Sequence, residues 1–400
     1  MPFDSTKPAP GPRRRITLMR SRKGGPLSAH VSLLALGLAL CSTSAWAVPL
    51  YSVTDLGTIG GSSSQGLAIN ATGQVAGYGF LAGDAATHAV RWTGSVATEL
   101  LPTGGTASFG YGINASGQVS GYATTTGGGL HAARWTGTTP ADLGALSSGT
   151  NVSYGYGIND SGQVVGYSYT GIASNYHAVR WTGTTPTDLG TFAGGNLSIG
   201  YGINAAGQVV GFASGGTFTT HATRWTGTTP EDLGTLGGFN SVGYGINLSG
   251  QVAGFSGLPG NEIRHAVLWT GTTPSDLGTL GGNAAFASGV NASGDVVGMS
   301  ATVAGSTAAD HAFLYTGGTM YDLSTLLMPG SGVTNLALEA ASESINDDGQ
   351  IAATGTIGGQ THALRLSPVP EPATGALFIA GAMVMLAARR SHRRPPNPAS

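Results

Sequence analysis

Gly155-Tyr156-Gly157-Ile158-Asn159-Asp160-Ser161-Gly162-Gln163-Val164-Val165-Gly166-Tyr167 sets two short apolar runs on either side of an Asn-Xaa-Xaa-Gly connector. That connector suits a type I turn closed by a glycine in the left-handed region, so the segment predicts a β-hairpin. Variants of it recur along the chain, with the asparagine at Asn70, Asn114, Asn159, Asn204, Asn247, Asn291 and Asn346 and successive spacings of 44, 45, 45, 43, 44 and 55 residues. A period in this range marks a repeat architecture rather than a chain of unrelated domains.

Two further elements keep the same beat. A His-Ala pair opening an apolar or arginine-bearing run falls at His88, His131, His177, His221, His265, His311 and His362. Asp-Leu-Gly falls at Asp55, Asp142, Asp188, Asp232 and Asp276, with degenerate copies at Glu99-Leu100 and Asp322-Leu323. Each unit therefore reads as four short strands. In the third, alternation puts His177, Val179 and Trp181 on one face and Ala178 and Arg180 on the other, with Trp181 packed and Arg180 directed to solvent.

With 68 glycines and only 9% charged residues, the composition suits short strands and tight turns, and the fold class is all-β. Seven four-strand units of this length predict a seven-bladed β-propeller. The order of elements favours a closed ring. The repeat region opens with a fourth-strand element, Tyr51 to Thr58, and its seventh copy stops after a third strand, His362 to Leu366, so the N-terminal strand is expected to complete the last blade and remove an exposed edge. A β-solenoid satisfies the same periodicity and stands as the alternative.

Between Tyr51 and Leu366 the repeat resembles the HAF family of bacterial extracellular repeats, whose His-Ala-Phe is seen here as His311-Ala312-Phe313. The resemblance implies a surface location and brings no established chemistry. Some copies depart from the pattern: Leu268 and Leu314 replace the arginine, and Tyr315 and Leu366 replace the tryptophan, so any ring of arginines is incomplete.

The ends read as addresses. Residues 1–47 predict a signal peptide: basic residues, the apolar core Val31 to Cys41, and Ala45 and Ala47 at the positions a signal peptidase reads, with Met19 an alternative start. Residues 48–368 form the repeat domain. In residues 369–400, Pro370-Glu371-Pro372 precedes a predicted transmembrane helix over 373–388 and the basic residues Arg389, Arg390, Arg393 and Arg394. This tail resembles the PEP-CTERM sorting signal, which implies processing by an exosortase, transient anchoring in the inner membrane and delivery to the cell surface or outside, in bacteria that build extracellular polymer. A permanent tail anchor is the alternative.

Between Val48 and Pro370 six arginines face 17 acidic residues with no lysine, a net of −11, so a nucleic-acid partner is not expected. The seven repeat histidines lie a whole unit apart, and zinc ligands must converge on one ion; they are expected to be buried structural residues near the Trp and Asp of their own unit. The acids of Asn159-Asp160-Ser161-Gly162 and Asn346-Asp347-Asp348-Gly349 hint at calcium, but most copies carry Ala or Leu there and turn chemistry accounts for them. No metal, cofactor or catalytic residue is expected. The acids that break the repeat are Asp84, Glu262, Asp310, Glu339 and Glu343, and the last unit carries about ten extra residues between Asp322 and Asn346, where a binding loop is expected. Two functions fit: a surface or matrix repeat protein that binds exopolysaccharide or other surface proteins, not an enzyme, and, as the alternative, a polysaccharide-acting propeller enzyme.

Overall fold

The computed structural model describes residues 48–370, apart from 148–151, 173, 217–219, 309 and 340–342. Its strands assemble into seven four-stranded antiparallel blades. Blade 3 is representative, running through Ser153–Ile158, Val164–Tyr169, Tyr176–Thr182 and Thr185–Gly190. Blade 1 spans Gly60–Leu100, blade 2 Gly104–Asp142, blade 4 Ser198–Asp232, blade 5 Ser241–Gly278 and blade 6 Ala285–Asp322. Blade 7 takes Thr334–Ala337, Ile351–Ile357 and Gln360–Pro368 from the C-terminal side and its outermost strand, Tyr51–Asp55, from the N-terminal side.

That last pairing closes the ring. Tyr51 stands opposite Pro368 and Asp55 opposite Leu364 in antiparallel register, so the first described strand completes the final blade. The fold is a seven-bladed β-propeller closed by its N-terminal strand, and the β-solenoid alternative is overturned. Among the described residues no helix is long and apolar enough to cross a membrane. The expected helix over 373–388 lies outside the described residues.

Each hairpin forms as its turn chemistry dictates. In blade 3, Gly162 donates to the Asn159 carbonyl at φ +76, while the Asn159 Oδ1 accepts from the Gln163 amide at 3.0 Å and the Ser161 hydroxyl at 2.7 Å. The side chain thus mimics a backbone partner and fixes the turn. The core lies between blades rather than within one. Val165, Ala178 and Leu189 of blade 3 pack against Ile203, Val209 and Trp225 of blade 4, all of them almost fully buried. Glycine on the innermost strand lets the blades meet: a Cβ on Gly157 would stand 2.7 Å from the Tyr201 carbonyl of the next blade.

Closure by Tyr51–Asp55 generates the first prediction. Deleting residues 51–57 should lower the melting temperature far more than removing seven residues from an exposed loop, because it strips the outer edge of blade 7. Calorimetry of the two deletions side by side checks this; equal melting temperatures would mean that the ring does not depend on the strand.

Candidate functional site

The repeat asparagines do more than shape turns. Their Nδ2 groups reach across to the asparagine carbonyl of the next blade: Asn70 to Asn114, Asn114 to Asn159, Asn159 to Asn204, Asn204 to Asn247 and Asn247 to Asn291, at 2.9 to 3.3 Å. Asn346 donates to the Asn70 carbonyl at 2.9 Å and joins the last blade to the first. These amides encircle the axis at one end of the channel.

The arginines form a second set of bridges. Arg91, Arg134, Arg180, Arg224 and Arg365 each donate from Nη1 to a glycine carbonyl in the following blade's turn, Gly117, Gly162, Gly207, Gly250 and Gly73 respectively. Arg180 is therefore directed at its neighbour and not at solvent, a correction to the strand-alternation reading. A serine latch, absent from the sequence reading, adds a third link. Ser198 Oγ accepts from the Ala178 amide of blade 3 and donates to the Gly190 carbonyl at 2.6 Å. Its signal was the serine six residues before most repeat asparagines.

Every repeat histidine meets an acid on the outermost strand of its own blade. The Nδ1 contacts are His88 with Glu99, His131 with Asp142, His177 with Asp188, His221 with Asp232, His265 with Asp276, His311 with Asp322 and His362 with Asp55. The same carboxylate accepts the amide two residues on, as Asp188 does from Gly190 at 2.8 Å. Burial pushes the Asp188 carboxyl up, but the His177 and Gly190 hydrogen bonds outweigh it and hold the group below its ordinary value. His88 and His131 are buried; the other five are half-buried at the rim, less enclosed than expected. Among the described residues no group of three or more histidines, cysteines or acids is placed to hold a metal.

One acid breaks the pattern at the axis. Three residues before the repeat asparagine, the innermost strands carry Leu67, Tyr111, Tyr156, Tyr201, Tyr244, Ser288 and, in blade 7, Glu343. In blade 7 the innermost strand is described over Thr334–Ala337, and Ile345 bridges Ile351 beyond it. Glu343 is fixed there by its carbonyl, which accepts from the Ile69 amide of blade 1 at 3.1 Å. It lines an axial cavity of about 190 Å³ together with six of the repeat asparagines, Ile69, Ile113, Ile158, Asp160 and Asp347. Burial, and then the Asp160 and Asp347 carboxylates, push the Glu343 carboxyl up to about 8. At neutral pH it is a neutral acid, able to donate a hydrogen bond or a proton into the channel. Asp160 and Asp347 themselves accept from the Ala115 and Ala292 amides of the preceding turns, which is turn chemistry rather than ligation. Asp84 likewise caps the Ser62 amide at 2.8 Å.

The opposite face carries a chain of aromatic rings that the sequence reading did not single out. Tyr78, Phe109, Tyr122, Tyr154 and Tyr167 follow one another at centroid distances of 4.7 to 5.1 Å, and Tyr167 continues to Tyr176 at 5.2 Å. An inner row, Tyr111, Tyr156, Tyr201 and Tyr244, runs alongside at 5.1 to 5.3 Å. These rings are half-buried, and Tyr156, Tyr167, Tyr176, Tyr201 and Tyr244 pack against Ile199, Phe212 and Val242. Burial, with Glu339 and Tyr122 beside it, pushes the Tyr78 hydroxyl up to about 12, so it stays a neutral donor. The signal was in the repeat itself, in Gly-Tyr-Gly and in the aromatic that closes Val-Gly-Tyr.

Ala45, Ala47, Glu371, Pro372, Arg389, Arg390, Arg393 and Arg394 lie outside the described residues; Pro370 is the last residue described. No family model matches the chain, and no curated protein does. Among solved structures the chain is similar to YCF48 bound to a D1 peptide, with 11% identity over 82% of this chain and 97% of that one at a TM-score of 0.43. It is also similar to a gluconolactonase of Xanthomonas campestris, with 10% identity over 80% and 97% at 0.35, and to a PQQ-bound aldose sugar dehydrogenase of Streptomyces coelicolor, with 12% identity over 80% and 99% at 0.37. The propeller assignment rests on this chain's own strand pairing.

Two predictions follow the site's charges. Replacing His177 with Ala should cost on the order of 1 kcal/mol by denaturant melts, the scale of a half-exposed pair rather than of an orphaned buried group; a loss several times larger would mean that the pair holds the blade. For Glu343 the folded-state value of about 8 lies above its ordinary 4.5, so the folded chain binds the extra proton. Ionisation therefore costs nothing at pH 4, and its cost grows from there to be complete above about pH 8. Glu343→Gln should match the wild type at pH 4 and exceed it by at least about 1 kcal/mol at pH 9. A constant difference across that range would remove the neutral-acid reading.

Proposed function

We propose that this chain is an exported, exosortase-sorted surface protein whose propeller binds extracellular polysaccharide through its aromatic face. The observation that carries the binding reading is the chain of half-buried rings from Tyr78 to Tyr176. Flat aromatic faces with neutral hydroxyls match the C–H-rich faces and hydroxyl edges of sugars, and this pairing of an apolar body with a polar tip suits an exposed recognition surface. The acidic domain, net −11 with no lysine, favours a neutral glycan over an anionic one. Exposed Ile172, Phe239 and Val303 sit in loops at the same end of the blades and extend the apolar rim. Export and sorting rest on the sequence of the two ends, Ala45 and Ala47 before Val48 and Pro370-Glu371-Pro372 before an apolar stretch and four arginines.

A second reading, a polysaccharide-acting enzyme, draws on Glu343, a protonated acid at the axis in place of the tyrosine used by four sister blades. The two readings part experimentally. In a glycan-array screen with a parallel turnover assay on the host's own polymer, binding without turnover, lost roughly tenfold or more in Tyr154→Ala/Tyr176→Ala and kept in Glu343→Gln, supports the binding module. Turnover abolished by Glu343→Gln supports the enzyme. For the tail, mass spectrometry of the surface or secreted fraction should find a form that begins near Val48 and lacks everything beyond about Pro372; recovery only of a membrane-bound form reaching Ser400 would make the tail a permanent anchor.

A further inference from the structure

The blade 6–7 junction departs from the others in a way that defines a ligand. At five junctions a guanidinium stands against the glycine carbonyl of the next turn, and in four of those five the glutamine of the same blade also hydrogen-bonds a threonine or serine hydroxyl on its third strand. In blade 6 both are exchanged. Leu314 takes the arginine position and Asp295 the glutamine position, so one positive charge is lost and one negative charge gained.

The exchange leaves a partly open cavity of about 200 Å³, lined by Asp295, Leu314, Thr316, Asp347, Asp348 and Gly349 among others. Leu314 itself is turned into the apolar core with Tyr51 and Leu364 and does not fill the space. Asp295 is half-buried; one oxygen accepts from Asn291 Nδ2 at 3.2 Å. Its charge reaches the buried Tyr51 hydroxyl, which burial first and Asp295 second push well above its ordinary value. The cavity therefore keeps the carbonyl position that accepts a guanidinium in the sister blades and adds the Asp295 carboxylate to its wall, and among its described lining residues none is a cation.

We propose that this cavity is a binding site for a guanidinium group brought from outside, on an arginine side chain or a small guanidino compound. The planar fork would donate to the Gly349 carbonyl, as the internal arginines do to theirs, and pair with Asp295, with Asp348 at the mouth; its five N–H groups in a fixed fork suit a carbonyl and a carboxylate together, whereas an ammonium is a compact point charge without that geometry.

The test uses the purified full chain, titrated calorimetrically with methylguanidinium, with the peptide Gly-Arg-Gly and with Gly-Lys-Gly, and separately with calcium chloride. Saturable binding of either guanidinium probe, at least about tenfold tighter than Gly-Lys-Gly, is expected, and the tighter of the two identifies the source. Asp295→Asn should weaken it by a similar factor. Leu314→Arg supplies the missing guanidinium internally at the position the sister blades give to arginine, and it should abolish binding. The proposal is overturned if neither guanidinium probe saturates, if lysine binds as well, if calcium binds tighter, or if Leu314→Arg folds and leaves binding intact.

Discussion

The ring rests on the side-chain amides of the repeat asparagines, six of which bridge to the next blade. At Asn159 the Oδ1 accepts the amide of the glutamine four residues on and so closes the hairpin, while the Nδ2 donates to the next blade's asparagine carbonyl. One group thus couples local turn geometry to the angle between blades. Because the donors sit almost fully buried, an unmade bond would leave an N–H without a partner, costing about 1–3 kcal/mol at each of these six junctions, which ties those turns to their neighbours'. The glycines then follow as a necessity, since any Cβ on Gly112, Gly157 or Gly202 would meet the next blade's backbone at 2.6 to 2.7 Å.

Closure follows the same logic and is independent of chain continuity. The junction between blade 7 and blade 1 joins segments about 300 residues apart, yet it carries the full set of links: Asn346 to the Asn70 carbonyl, Arg365 to the Gly73 carbonyl, and Ser64 between the Ala363 amide and the Gly57 carbonyl. His362 meets Asp55 there as the other histidines meet their own acids. A ring whose seam is latched like its interior has no weak edge for another strand to join.

What could be read from the sequence was what repeats. The hairpins, the four-strand unit, the closing strand and the recurrence of an acid eleven positions after six of the seven histidines all leave periodic traces. Contacts between blades leave none at short range, because Arg180 and Gly207 belong to different units and only the ring brings them together; the strand pattern alone sent Arg180 to solvent. Glu343 was visible as an acid off the pattern, but its place at the axis depends on the bond between its carbonyl and the Ile69 amide of blade 1. The aromatic chain was hidden for the opposite reason: its tyrosines are part of the repeat and read as packing.

The departures gather on one side of the ring, and this follows from how that side is held. Blade 6 lacks the latch serine, with Ala285 in its place, and blades 5 and 6 lack the clamp arginine. The same region holds the broadest apolar cluster, which joins Val297, Met299 and Leu314 of blade 6 to Tyr51, Leu336, Leu338, Ile345 and Leu364 around blade 7. Burial of that many large side chains stabilises the junction without the polar links, since each contributes roughly 1.5–3 kcal/mol on leaving water. Once apolar packing carries the junction, the polar positions are released from their structural duty. Asp295 and Glu343 occupy positions that in other blades hold glutamine or, mostly, tyrosine, and both face open space. A sevenfold scaffold needs one place where symmetry fails in order to present a unique site, and here it fails where the core is strongest.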